Sequence, residues 1–260
     1  MKLSNARKGD HLQKPLALLT GVGRTVGIAA GIARQLAADD WDLALNFWPG
    51  YDKRMPWANV PDDINSLSQE LRDLGAEVLS LPGDLELKET PAAIFEALLK
   101  GGRSPSALVL AHCESVDSSI LGTTVESFDR HYAVNVRASW LLIREFALHV
   151  PESGGRIIAL TSDAIIENIP YGSTKAALDR IVLACARELA DRHILANLIN
   201  PGPVDTGWMD ATVRSLCIER QPGGRLGTPA DIAKVVSFLL SDGGSWINGQ
   251  LIKADGGCSS

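Results

Sequence analysis

Tyr171-Gly-Ser-Thr-Lys175 holds the residue types most suited to chemistry in this chain. A tyrosine and a lysine four apart share one face of a helix, so phenol and ammonium reach the same small volume. The lysine's positive charge is expected to lower the phenol pKa from about 10, because a neighbouring cation favours phenolate. A phenol tuned toward neutral pH can give a proton to an alcohol oxygen or take one from it. Thr161-Ser162 end an apolar, strand-like run just upstream, where the Ser162 hydroxyl could hold that oxygen. The same pair on a solvated helix surface would do nothing, so the surrounding elements decide.

Apolar runs alternate with helical patterns from end to end. Strands are expected at Leu16–Thr20, Leu43–Phe47, Glu77–Leu81, Ala107–Ala111, Arg156–Thr161, Ile194–Asn200 and Gln250–Ala254. Helices are expected over Ile28–Ala38, over Asp62–Leu74, and after Thr90 as cap with Pro91 in the first position. A long helix to about Val150 should follow Thr123-x-x-Glu126, which has capping-box form. Two more cover Tyr171 with Ala176–Ala190, and Ala230–Leu240 behind Thr228-Pro229. Such alternation means βαβ units and a parallel sheet covered on both faces. The expected class is α/β, one doubly wound domain over residues 15–260 with ligands beyond the carboxyl ends of the strands. Met1–Lys14 is charged and lacks an apolar segment, and reads as a loose tail and not a signal peptide.

Thr20-Gly-Val-Gly-Arg-Thr-Val-Gly27 falls at the first strand-to-helix crossover, where a dinucleotide pyrophosphate would rest. Gly21, Gly23 and Gly27 let backbone approach phosphates, and the helix opening at Ile28 offers free N–H groups with a favourable dipole. The spacing Gly21-x-Gly23-x-x-x-Gly27 departs from G-x-G-x-x-G. The second strand ends in Asn46-Phe47-Trp48 with no carboxylate to clasp a ribose, and Asp42 precedes that strand. With no acid to repel a 2′-phosphate and Arg24 inside the turn, NADP(H) is favoured over NAD(H). Lys53 and Arg54 read as solubilising a loop.

Composition narrows the partners. The 260 residues, 45% hydrophobic and 22% charged, are ordinary for a soluble globular protein with a sizeable core. A net charge of −6 disfavours nucleic acid and anionic membrane. No apolar stretch approaches the ~20 residues of a membrane span. Cys113, Cys185, Cys217 and Cys258 are scattered, with no Cys-x-x-Cys and no zinc-like histidine spacing. Reduced thiols, a cytoplasmic location and no metal are therefore expected.

Further stretches join these: Gly83-Asp84-Leu85, Val134-Asn135-Val136, Asn200-Pro-Gly-Pro-Val-Asp-Thr206, Gly224 to Ile232, Asn248-Gly-Gln and Asp255-Gly-Gly257. In their order and spacing, from about Pro15 to Gly257, the chain resembles the short-chain dehydrogenase/reductase family, including its 3-oxoacyl-[acyl-carrier-protein] reductase-like members. The resemblance implies a Rossmann-like sheet of about seven strands. It also implies hydride transfer between a nicotinamide and a ketone or secondary alcohol. Tyr171 would be the acid/base, Lys175 would lower its pKa and hold the nicotinamide ribose, and Ser162 would orient the substrate oxygen. Asn135 would anchor a water on the proton path to Lys175, or else stitch a long helix to a neighbouring strand. Asp84 would meet the adenine edge. Pro201, Gly202 and Thr206 would pass beside the nicotinamide. Gly21, Gly23, Arg24, Gly27, Ile28, Asn46, Leu85, Ala111 and Val204 complete the implied cofactor lining. The family's usual assembly, through helices including Thr124–His149 and Ala176–Ala190, would be a dimer or tetramer.

Three departures stand out. Gly27-Ile28-Ala29 replaces the family's Gly-Ile-Gly behind a loop two residues longer. Ala111-His112-Cys113 replaces Asn-Ala-Gly after the fourth strand, so a side chain at 113 crowds the cofactor's path. Ser162 and Tyr171 are only nine positions apart, which shortens the loop over the substrate. An NADP(H)-binding sensor with little chemistry is the alternative these suggest; the intact Asn135, Ser162, Tyr171 and Lys175 set speaks for an enzyme. Pro203–Gly224 reads either as a substrate lid or as a helix covering the core. Its Trp208, Met209, Val213, Leu216 and Ile218, with Ile165, Ile166 and Ile169, would favour an uncharged, fairly hydrophobic carbonyl compound. Trp48–Val60 would close over the adenine end or pack on another subunit.

Overall fold

The computed structural model describes residues 13–55, 64–164 and 168–259. Residues 1–12 of the expected tail, Ile165, Ile166 and the later half of Trp48–Val60 lie outside the described residues. Seven strands form one parallel sheet: β1 (Leu16–Thr20), β2 (Asp42–Phe47), β3 (Val78–Pro82), β4 (Ala107–Leu110), β5 (Gly155–Leu160), β6 (Ile194–Asn200) and β7 (Leu251–Lys253). Their order is β3-β2-β1-β4-β5-β6-β7. The chain reverses its direction of travel across the sheet between β1 and β4, which opens a crevice at their carboxyl ends.

The helices are α1 (Ile28–Ala38), α2 (Pro49–Asp52), α3 (Ile64–Asp73), α4 (Thr90–Lys100), α5 (Val125–His131), α6 (Ser139–His149), α7 (Ile169–Glu188), α8 (Ala211–Arg220) and α9 (Pro229–Leu240). Strand side chains alternate between the two faces, so each strand feeds two cores. Ala17 and Leu19 of β1 join Ile32 and Leu36 of α1, Leu67 and Leu71 of α3 and Val236 of α9. Leu16 and Leu18 join Phe95 of α4, Phe146 of α6 and Leu178 and Val182 of α7. Helices thus cover both faces, the Rossmann-like arrangement expected. At the other end of the sheet from the crevice, Asp42 takes Nη2 of the buried Arg103 at 2.8 Å. Its other oxygen accepts the Glu77 N–H at 2.8 Å, so Asp42 locks strand starts together and is far from any ribose.

Two caps fall one residue from their expected places. Thr124, not Thr123, caps α5 by accepting from Ser127 N at 3.1 Å. Thr123 donates to the Ser119 carbonyl at 2.7 Å instead. Glu89 precedes α4, and Thr90 donates to the Asp84 carbonyl at 2.6 Å rather than capping. In both cases the hydroxyl is anchored to a preceding carbonyl through its proton. Thr228 caps α9 as expected, in a full capping box with Asp231. The long helix is not uniform: Tyr132–Ala138 is a π turn joining α5 to α6. α8 buries none of its side chains, so Pro203–Gly224 is not a core-covering helix.

Candidate active site

α7 presents Tyr171 and Lys175 on one face, beside the end of β5. The Lys175 ammonium, 3% exposed, donates to the Leu160 carbonyl at 2.8 Å and stands 5.4 Å from the centre of the Tyr171 ring. The Ser162 hydroxyl lies close enough to the Tyr171 phenol to favour its ionised form, and it accepts from Ala164 N at 3.2 Å. All three expected residues therefore share one small volume. The expected pKa ordering does not hold, however. Burial pushes the Tyr171 phenol well above its ordinary value, with Cys113 adding to the rise and the nearby Ser162 hydroxyl opposing it. Burial likewise lowers Lys175, because an ammonium is costly away from water. Desolvation sets the direction of both shifts, and sequence spacing does not carry it.

Asn135 lies on the π turn, and its amide is fully engaged. Its oxygen accepts from Glu114 N at 2.7 Å, and its nitrogen reaches the Glu114 carbonyl and the Thr174 hydroxyl, both at 2.9 Å. The side chain stitches the π turn to the segment after β4 and to α7, next to Lys175. An extra residue per turn is a frequent device for aiming a side chain at a site.

The glycine turn follows β1. Gly21 has φ +74°, and a Cβ there would come within 2.6 Å of the His112 backbone. Thr25 and Val26 form a tight turn closed by Gly27 N to the Arg24 carbonyl at 3.0 Å, which accommodates the two extra residues. Gly27 precedes α1 with no side-chain cap, so the first-turn N–H groups, beginning at Ile28, face the crevice mouth unclaimed by a cap. That is the donor set an anionic pyrophosphate needs. On the opposite wall, Gly202 has φ +59° and packs on Asp255, whose carboxylate is held by Gly257 N and Ser259 N. Val204 and Thr206 continue from it, both buried.

Other expected cofactor residues also make ties within the fold. The Asn46 amide is spent on the Leu81 and Gly83 carbonyls at 3.1 and 3.2 Å, tying β2 to β3. Leu85 is a core residue, and one Asp84 oxygen accepts from Glu86 N at 2.9 Å within its own turn. Ala111 borders the crevice, its N–H directed to Thr20 Oγ1 at 3.3 Å. The Arg24 guanidinium comes within 3.5 Å of the position a Cβ on Gly207 would take, so it leans toward the loop after β6 and not toward the end of β2.

The largest correction concerns α2 and the residues after it. Arg54 does not merely solubilise a loop: it forms a two-pronged ion pair with Glu114, at 3.1 and 2.9 Å, and that carboxylate is 3% exposed. Tyr51 donates to the Ser115 carbonyl at 3.2 Å. β1 lies between β2 and β4. A segment tied from the end of β2 to residues 114–115 must therefore cross the glycine turn. Asp52 confirms the crossing, since its Oδ2 lies 2.8 Å from where a Gly23 Cβ would stand. A carboxylate thus reaches the crevice after all, delivered by a helix that the Trp- and Pro-rich sequence concealed.

His112 is buried and neutral. Burial pushes its pKa down to about 3, with the Lys175 charge adding and the Val134 carbonyl opposing. Between pH 6.5 and about 3 the unfolded chain would carry a proton here that the folded chain refuses, so stability falls as pH drops through that window. Urea unfolding of His112→Gln should show a weaker acid-side decline than wild type between about pH 6.5 and pH 4. Equal declines would assign the acid sensitivity elsewhere.

The family model described as enoyl-(acyl carrier protein) reductase matches residues 21–259. With this sheet and this site, the chain belongs to the short-chain dehydrogenase/reductase family. It is 32% identical over 255 residues to an uncharacterized oxidoreductase, YjdA, of Bacillus subtilis (strain 168), covering 95% of this chain and 98% of that one. It is 30% identical to an NADPH-dependent aldehyde reductase-like chloroplastic protein of Arabidopsis thaliana, covering 94% and 96%. Among solved structures, angucycline C-6 ketoreductase LanV with bound NADP superposes with a TM-score of 0.82 at 28% identity, over 93% of this chain and 94% of that one.

Proposed function

We propose that this protein is an NADPH-dependent reductase of a small, fairly hydrophobic ketone or aldehyde, running the reverse alcohol oxidation with the same groups. The observation that carries this is the Tyr171 phenol, placed beside the Ser162 hydroxyl and backed by the buried Lys175 ammonium. Bound along the crevice, a nicotinamide dinucleotide would supply or take up the hydride. Gly21, Gly27 and the start of α1 would receive the pyrophosphate, and Gly202, Val204 and Thr206 would flank the ring end. Ser162 would hold the substrate oxygen while Tyr171 gives it a proton. With its pKa raised, the phenol stays protonated at neutral pH, which suits reduction. The relatives' names and bound nucleotide support NADP(H). Trp208 and Leu216, each about half exposed on and before α8, support an apolar entrance. The four cysteines are free, in keeping with the cytoplasm, and no described helix is long and apolar enough to cross a membrane. The half-exposed Trp140 and Leu148 on α6 support self-association through α6 and α7, which sedimentation would test.

A panel of ketones, aldehydes and alcohols with both dinucleotides tests this reading. Failure to oxidise NADPH with any carbonyl, despite tight NADPH binding, would favour the sensor alternative, which the strap over the crevice also supports. Asp52 sharpens the cofactor question. Its charge near the glycine turn opposes an additional phosphate, by about 1 kcal/mol at a few ångströms in a partly wet site. Asp52→Asn should therefore raise the NADPH-over-NADH preference in kcat/KM about fivefold. An unchanged ratio would mean that the carboxylate does not meet the adenosine ribose.

A further inference from the structure

His112 occupies the crevice wall, and the proposed chemistry gives it no task. We infer that His112 is a positioning residue whose imidazole pins the glycine-turn end of β1 to the π turn, holding the cofactor cradle in register with the Tyr171–Lys175 pair. The inference rests on the reading of this chain as a dinucleotide-dependent oxidoreductase.

The hydrogen bonds assign each ring atom. Nε2 faces the Val134 carbonyl at 3.1 Å, an acceptor that can only receive, so Nε2 carries the proton. The Ser139 hydroxyl, 3.2 Å from Nε2, already donates to the Asn135 carbonyl at 2.8 Å and so accepts from the ring as well. Nδ1 of the neutral ring is then an acceptor, and the Thr20 hydroxyl turns its one proton to it at 2.7 Å in preference to the Val109 carbonyl at 3.3 Å. Thr20 is the residue before Gly21, and Gly21 lies against the His112 backbone. On the other side, Val134, Asn135 and Ser139 belong to the π turn and the start of α6, and Asn135 reaches Glu114 and Thr174. Thr174 precedes Lys175. One unbroken series of bonds therefore runs from the pyrophosphate cradle through the imidazole to the helix bearing the acid/base. Each end of the ring serves one half of the site: Nδ1 the cradle, Nε2 the π turn.

That division yields the test. NADPH affinity is read by fluorescence titration, and kcat by turnover of the best carbonyl in the panel, at a temperature where circular dichroism shows each variant folded. His112→Ala should weaken NADPH binding and lower kcat, each about tenfold. His112→Asn keeps an acceptor near Nδ1 and should recover affinity more than kcat. His112→Gln keeps a donor near Nε2 and should recover kcat more than affinity. A structural filler would lower thermal stability in all three without splitting the two readouts. Unchanged affinity and kcat in folded His112→Ala overturn the inference. Should the alanine variant fail to fold, equal losses of both quantities in the Asn and Gln variants overturn it. A wild-type protein that binds neither dinucleotide and turns over no carbonyl removes the functional reading, and this inference with it, before any variant is made.

Discussion

Tyr171→Phe is expected to reduce carbonyl turnover by about three orders of magnitude while leaving the NADPH dissociation constant within about twofold of wild type. The substitution removes the one atom that can pass a proton and leaves the half-buried ring in place. Lys175 keeps its bond to the Leu160 carbonyl, so α7 and the end of β5 stay joined. Following NADPH absorbance gives the rate, and fluorescence titration gives the affinity. Turnover above a tenth of wild type would show that the proton comes from elsewhere. Loss of binding along with turnover would make Tyr171 part of the cofactor's bed and not its partner in chemistry. The pH profile supplies a companion test. Because burial keeps the phenol protonated, reduction should run level through neutral pH. Alcohol oxidation, which needs that oxygen to accept a proton, should climb steadily with pH.

Gly21→Ala should remove dinucleotide binding and lower the melting midpoint by roughly 10 °C, the shift that about 3 kcal/mol gives in a chain of this size. The φ of +74° already disfavours any side chain. A Cβ would also press into the Cα and N of His112 at 2.6 Å, and these are backbone atoms that cannot swing aside. Gly102→Ala makes the control: its φ is +69°, with nothing within 4 Å of the added carbon. It should lose only the conformational part, about 1 kcal/mol, and bind NADPH as wild type does. If the two variants melt together and bind alike, the close approach at Gly21 is not what shapes the cradle.

The elements that bury apolar side chains were legible beforehand, because period and punctuation report burial directly. β1, β6 and α1 fall where the apolar runs put them. Contacts between distant residues were not legible. Arg54 looked like a soluble loop residue because its partner, Glu114, is far along the chain and is buried only once β4 has docked. His112 looked like a departure from a motif; that both its nitrogens are occupied depends on Thr20 and Val134. Asn46 looked available to a ribose, and register with β3 consumed it. The chemistry of Tyr171 and Lys175 was visible as a pair, but the sign of the phenol's shift depends on how much water the finished fold removes. Spacing along one helix says nothing of that.

The wide winding at Tyr132–Ala138 makes the long helix sensitive in an unusual way. Exchanging one small side chain there for another leaves the backbone path intact. Removing a single residue would let ordinary winding resume within the turn and leave the helix beyond it facing as before, since the wide turn is what takes up the extra residue. Asn135 and Ser139 would then no longer face Glu114 and His112 together. A single deletion is thus absorbed by the rod as a whole and felt at the contacts the wide turn aims, those of Asn135 above all.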